Sequence, residues 1–206
     1  MSTAGTKGVP RAQREQQILD IATDEFGGSG YTGTSLAAVA ARAGISKPLI
    51  VSYFGSKDGL YAACADRAGT NLCDRIETAL EAQGPTAVRA EETLRAFFDA
   101  LQRRPHDWNI IFDRTLPADG PAATTARRIR TRLADQAARG VAAVGAMEHV
   151  TDPDDLSVLT EVWMNIVGAI VNWWLRHPDQ TAEQMITRSS RIINLMTNRP
   201  TRGHDS

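Results

Sequence analysis

The stretch Thr34–Lys57, TSLAAVAARAGISKPLIVSYFGSK, decides the fold. Leu36, Val39, Ala40 and Ala43 stand at i, i+3, i+4 and i+7, so one stripe of a short helix is apolar. Thr34 is the expected N-cap of that helix, and Gly44 stands where it must stop, at a position that favours left-handed backbone. Ser46 offers a second N-cap, and Pro48 falls in the first turn of the next helix, where an amide proton is not needed. Ile50 and Phe54, four apart, turn back toward the first helix and leave Lys47, Leu49, Val51, Ser52 and Tyr53 on the remaining surface. Two short helices across a glycine turn have the geometry with which a helix-turn-helix lays one helix in a major groove. The spacing alone fits an ordinary hairpin inside an all-helical core equally well.

The flanks add what the spacing lacks. Upstream, REQQILDIATDEFGGSGYTGTS (14–35) supplies a helix with Ile18, Leu19, Ala22 and Phe26 on one face, then a glycine-rich turn leading to Thr34. Downstream, FGSKDGLY (54–61) places Ser56 as an N-cap and Lys57 at the positive start of a further helix, an arrangement suited to gripping a phosphate.

Taken together, Arg14 to Leu60 closely resembles the DNA-binding domain of the TetR/AcrR family of bacterial transcriptional regulators. The resemblance rests on ILDIATDEFGGSGYTGTSL, VAARAGISK and YFGSKDGLY in combination. It implies an all-α, dimeric protein: an N-terminal three-helix helix-turn-helix domain, then a helical domain that binds a small effector and a second subunit. The division expected here is a flexible arm (1–12), a DNA-binding domain (13–55), a ligand-binding and dimerisation domain (56–198) and a flexible tail (199–206). On that pattern the DNA-contacting candidates are Thr34, Ser35, Ala37, Ser46, Lys47, Pro48, Leu49, Val51, Ser52, Tyr53 and Lys57. The family commonly carries an aromatic residue where Val51 stands, and valine cannot donate a hydrogen bond to the DNA backbone. Base readout is therefore expected to lean on apolar contacts from Leu49 and Val51, for which thymine methyl groups are natural partners.

A chain of 206 residues can hold a small reading domain and a larger helical one. Its formal net charge of -1 does not suit a protein that coats nucleic acid indiscriminately. Charge is localised instead: Lys7, Arg11, Arg14, Arg42, Lys47 and Lys57 outnumber Glu15, Asp20, Asp24 and Glu25 before the fourth helix. Lys7, Arg11 and Arg14 either follow the DNA backbone or belong to a solubilising tail. The two cysteines, Cys64 and Cys73, fall on one helix, about 13 Å apart along its axis, too far for a disulfide. They are expected to be buried thiols. The chain opens without a secretory signal, and the apolar run Val162–Leu175 is broken by Asn165 and Asn172. A cytoplasmic protein with no membrane partner is expected.

Beyond Lys57 the pattern predicts helices and no strand: Ser56 toward Leu80, Ala87–Leu101, Pro105–Leu116, Ala123–Met147, Pro153–Arg176 and Thr181–Thr197. Leu60, Cys64, Ala68, Leu72 and Ile76 line one side of the first of these, and Thr181 with Gln184 can form a capping box. The last two helices are the expected dimer interface, through Leu159, Val162, Ile166, Ala169, Trp173, Met185, Ser189, Ile192 and Met196; the alternative is that these stripes serve the chain's own core. For an effector pocket the large apolar candidates are Phe97, Phe98, Leu101, Trp108, Ile111, Phe112, Met147, Trp163, Met164 and Val167. Asn165, expected to face inward, Arg114 and His149 are the polar ones. The arginines at 127, 128, 130 and 132 spread around their helix and read as a solvated face.

No cofactor or metal is called for. The four histidines make no paired ligand spacing, and there is no HExxH, CxxC, GxSxG or GxxxxGK. The expected function is that of a ligand-responsive repressor that binds a palindromic operator as a homodimer and is released by a small hydrophobic effector. The alternatives are a helical ligand-binding protein with weakened DNA binding and, further off, an all-α enzyme.

Overall fold

The computed structural model describes residues 9–197, the side chains of 87 and 194–197 excepted. Lys7, the side chain of Met196 and the 199–206 tail lie outside the described residues. Within them the chain is all-α: α1 (Arg11–Gly33), α2 (Leu36–Ala43), α3 (Lys47–Phe54), α4 (Lys57–Glu81), α5 (Thr86–Arg103), α6 (His106–Ile111), α7 (Pro121–Met147), α8 (Pro153–Leu175) and α9 (Ala182–Thr197).

Two compact units result, Met1–Asp74 with Arg104–Gln136, and Arg75–Arg103 with Ala137–Ser206. The first gathers α1–α3 and α4 as far as Asp74 with α6 and α7 as far as Gln136.

In the first unit one apolar core joins Ile18, Leu19, Ala22 and Phe26 of α1, Val39 and Ala40 of α2, Ile50 of α3 and Leu60, Tyr61, Cys64 and Ala65 of α4 to Ile110 and Ala122. The expected stripe along α4 is buried at Leu60, Cys64, Ala68, Leu72 and Ile76. Both cysteines are buried and unbridged. Desolvation pushes the Cys64 thiol up to about 12, so it stays protonated. Phe26, Tyr31 and Tyr61 stack as a triad, with Phe26–Tyr61 centroids 4.8 Å apart and Tyr31–Tyr61 5.4 Å. Along α4 and α7, Arg128 pairs with Asp66 at 2.6 Å and Arg132 with Asp74 at 2.7 Å. The arginine-rich stretch is thus a seam of ion pairs, not simply a solvated face.

Three expectations are corrected here. The glycine-rich segment is no open turn: α1 stays helical through it except at Gly30, whose φ of 71° breaks the helix for one residue. Thr34 does not cap α2; it ends α1, is buried, and donates its hydroxyl to the Glu25 carbonyl (3.0 Å), while Ser35 takes the cap. The helix expected over Pro105–Leu116 stops at Ile111, because Asp113 and Thr115 turn their polar groups onto the end of α1.

The α3–α4 corner is tight. Ser56 Oγ accepts the Gly59 amide at 3.0 Å, and a Cβ on Gly59 would overlap the Phe54 carbonyl oxygen.

In the second unit α5 packs on α9, burying Phe97, Phe98, Ala100 and Leu101 with Ala182, Met185, Ile186 and Ser189. Phe98 meets Trp174 edge-on at 5.3 Å, and Trp174 Nε1 donates to the Gln180 carbonyl. The capping box forms as expected: Gln184 Oε1 accepts the Thr181 amide at 2.8 Å and Thr181 Oγ1 the Gln184 amide at 3.3 Å. α8 is different in kind. It is 23 residues long and apolar enough, by length and composition, to cross a membrane, a longer stretch than the Val162–Leu175 run suggested, and only 6% of its most apolar window is buried.

Ile50 is the one fully buried side chain of α3. Ile50→Ala is expected to destabilise the protein by about 2–5 kcal/mol, measured by urea denaturation.

Candidate nucleic-acid interface

α2 and α3 are eight residues each, and sequence-local devices define both ends of the turn between them. Gly44 adopts φ 64°, which lets the Ile45 amide return to the Ala40 carbonyl at 3.0 Å and closes α2. Ser35 Oγ accepts the Ala38 amide at 3.1 Å, and Ser46 Oγ accepts the Leu49 amide at 3.4 Å with Pro48 in the first turn. Each capping oxygen accepts from its helix and keeps a hydroxyl proton to donate outward.

With Val39, Ala40 and Ile50 buried beneath, the outer surface presents Ser35, Ala37, Ser46, Lys47, Pro48, Val51 and Ser52 to solvent. Leu49, Tyr53 and Lys57 are half-buried at its margins. Val51 is 39% exposed, an apolar side chain facing water on the middle of α3. Ser52 Oγ donates to the Leu49 carbonyl at 2.7 Å, which leaves its oxygen free to accept. Thr34, 3% exposed with its hydroxyl spent on Glu25, does not belong to this surface.

The charges sort into two kinds. Arg42 is neutralised within the fold, through Glu25 at 2.8 Å and Asp24 at 3.2 Å, and ties α2 to α1; it drops out of the basic surface counted from sequence. Arg11 lays its guanidinium over the Tyr53 ring at 4.7 Å, placing the start of α1 beside α3. Lys57 holds its ammonium 4.3 Å from the Tyr31 ring centroid at the first turn of α4. The next residue, Asp58, accepts the Ala122 amide at 3.3 Å and so sits at the positive end of α7. Burial, then the Asp58 charge, raise the Tyr31 phenol above its usual range.

A polar network lies behind this surface. Arg67 donates to Asp20 (2.7 Å), Gln16 and Thr23, while Arg104 pairs with Asp107 at 3.1 Å. Desolvation raises the Asp107 carboxyl, and Arg104 opposes that shift. The Arg67 contacts had no signal in the sequence, since their partners lie more than forty residues away and share no motif; Arg104 and Asp107 are only three apart.

The residues expected to line a pocket belong to both units. Trp108 and Phe112 stack on each other at 4.1 Å in the first unit. Phe97, Phe98 and Leu101 are buried in the second, where Trp163, Met164 and Val167 are half-buried. Met147 is 56% exposed at the end of α7, and Asn165 faces outward, its Nδ2 returned to the Glu161 carbonyl. Both leave the candidate lining because they sit on outer helix faces. Arg114 is exposed, as is His149, which takes φ 59° in the turn after α7. Among the described residues no group of three or more His, Cys, Asp or Glu is placed to hold a metal.

The expected dimer residues divide as well. Leu159 and Val162 stand 43% and 46% exposed, and Val162 lines, with Val158, Ile166 and Ala169, a shallow groove of about 530 Å³ on α8 that also includes Ser157, Glu161 and Asn165. Ile192 is exposed on α9. Met185 and Ser189, by contrast, are buried against the chain's own α5 side and belong to its internal core. Trp173 is half-buried, stacked on His177 at 3.9 Å with Arg188 on its ring at 5.7 Å.

Comparison with known proteins agrees with this geometry. Residues 18–64 match the family described as bacterial regulatory proteins, tetR family. Over 105 residues the chain is 32% identical to the HTH-type transcriptional activator FasR of Mycolicibacterium smegmatis, a match covering 51% of this chain and 48% of that protein. The aligned part thus spans about half the length of this curated relative. Over nearly the whole chain the fold is that of a TetR-like transcriptional regulator from Rhodococcus sp. RHA1 (TM-score 0.73, 23% identity, 93% of this chain and 100% of that one). It is also that of a transcriptional regulator FadR from Bacillus subtilis, solved in complex with stearoyl-CoA (TM-score 0.70, 12% identity, 89% and 97%). Residues 18–64 thus form a helix-turn-helix domain of the tetR family of bacterial regulatory proteins, in a chain whose all-α fold is that of TetR-like regulators.

Proposed function

We propose that this protein is a ligand-responsive repressor that binds a palindromic operator as a homodimer and releases it when a small hydrophobic effector binds. The observation that carries the reading is the α2–α3 surface: Ser35, Ala37, Ser46, Lys47, Pro48, Val51 and Ser52 face solvent over a fully buried Ile50. Lys47 and the Ser35 and Ser46 caps supply phosphate contacts at two helix N-termini, while Leu49 and Val51 read base edges. Residues 13–55 serve as the reading domain and 56–198 as the effector and dimerisation domain.

Dimerisation through α8 is supported by the apolar face from Val158 to Ala169, which the single chain leaves in water. Two reading domains on a two-fold axis meet successive major grooves of a palindrome. The effector is assigned to Phe97, Phe98, Leu101, Trp163, Met164 and Val167, large apolar groups suited to an acyl chain or a planar hydrophobic compound. The stearoyl-CoA complex of the B. subtilis protein supports the first of these. Release is a linked equilibrium, in which a tenfold loss of operator affinity requires about 1.4 kcal/mol of coupling and the operator weakens effector binding by the same factor. The location proposed is the cytoplasm.

Fragments selected from random DNA and titrated by fluorescence anisotropy test the reading head. Lys57→Gln is expected to weaken all sequences alike and lower the salt slope by about 1, whereas Val51→Ala changes which sequences are selected. Recovery of no preferred sequence by the wild type would overturn DNA-specific regulation.

Val162→Asp places a charge on the exposed α8 face and is expected to sediment as a monomer with operator affinity reduced at least tenfold. A wild type that is monomeric at operator-binding concentrations removes the dimer.

Long-chain acyl-CoA or free fatty acid at saturation is expected to raise the melting temperature and to lower operator affinity. Unchanged affinity across both classes sinks the proposed effector. In vitro transcription reads the sign, repression being expected and stimulation, as the name of the M. smegmatis relative suggests for that protein, reversing it.

A further inference from the structure

Gly30 interrupts α1 three residues before its end, with φ 71° and ψ 172°. In an uninterrupted helix the Tyr31 amide would donate to the Gly27 carbonyl. Here the two halves of that pair are taken by residues about eighty positions away. Asp113 Oδ2 accepts the Tyr31 amide at 2.6 Å, and Asn109 Nδ2 donates to the Gly27 carbonyl at 2.9 Å. The following residue is held too: Thr115 Oγ1 accepts the Thr32 amide at 3.2 Å, and the Thr115 carbonyl accepts the Thr32 hydroxyl at 3.0 Å.

The grip is internally braced. Asp113 Oδ1 accepts both the Thr115 amide and its hydroxyl, each at 2.7 Å, and Tyr61, whose hydroxyl donates to the Ile110 carbonyl at 2.7 Å, lies 3.2 Å from Asp113 Oδ2. A Cβ at Gly30 would stand 2.9 Å from Thr115 Oγ1, so the backbone there is fitted to the loop as well as to its own positive φ. The break at Gly30 is thus capped from outside, and an unbroken α1 would carry the Gly27–Tyr31 hydrogen bond instead.

We propose that Asn109, Asp113 and Thr115 are positioning residues for operator binding, holding α1 in its broken form so that Ser35 and the N-terminus of α2 are aimed at the DNA. Withdrawal of the Asp113–Thr115 loop releases the Tyr31 and Thr32 amides, straightens α1 and turns the reading pair away. The segment between α6 and α7 thereby controls a hinge at the entrance to the helix-turn-helix. This rests on the DNA-binding reading above.

The test compares wild type with Asp113→Ala/Thr115→Val, Gly30→Ala and the conservative Thr115→Ser. Gly30→Ala serves as a second variant should the double one fold poorly, and thermal melts establish which variants are folded. Operator affinity is expected to fall at least tenfold in the first two with the salt slope retained, because no phosphate-contacting side chain is altered. Thr115→Ser binds as wild type does. In isotope-labelled Asp113→Ala/Thr115→Val protein without DNA, the Gly30 Cα shift moves to a helical value while those of Ile45–Phe54 stay. Affinities within twofold of wild type in both disruptive variants overturn the proposal, and so does an unchanged Gly30 shift in the double variant. If the wild type selects no DNA, the function proposed above fails first, and the shift measurement alone still decides whether the loop sets the hinge.

Discussion

Two helices of eight residues cannot hold themselves together in water, and everything about this protein's reading surface follows from what is placed beneath them. Val39 and Ile50 reach a core whose other walls are α1, α4, Ile110 and Ala122. The recognition elements are thereby supported by residues from the middle of the chain, and the outer faces of α2 and α3 are left free of structural duty. That separation is what permits exposed Val51 and Lys47 to vary in chemistry without unfolding the base.

Electrostatics follow the same division. Acidic Asp24 and Glu25 consume Arg42 inside the fold, and Asp20 with Asp107 occupies Arg67 and Arg104. The exposed pairs of Arg42 contribute little stability each, but they fix the side chain and remove a cation from the surface. The positive charge that remains near α3 sits at its margins, on Lys47, on Arg11 over Tyr53 and on Lys57 over Tyr31.

Most of the fold was legible because its signals are local. The glycine at 44, the serines at 46 and 56, the Thr181–Gln184 box and the α4 stripe each act within a turn or two, and a periodic pattern exposes them. What was misread depends on distant partners. Thr34 looked like a cap until Glu25 claimed its hydroxyl, Met185 and Ser189 looked like an interface until α5 covered them, and α6 looked longer until Asp113 and Thr115 found the end of α1. Which side chains of α2 and α3 face solvent was largely visible in the sequence, whereas the surroundings of the large apolar groups of α5 and α8 were not, since apolar side chains carry no mark of what will fill the space beside them.

The corner at Gly59 has a mechanical meaning. Because the Phe54 carbonyl occupies the space where any larger side chain would begin, α3 and α4 meet with no slack between them. Any side chain added at Gly59 has to push the end of α3 away from the start of α4, so the spacing of the two helices at this corner is set by backbone against backbone.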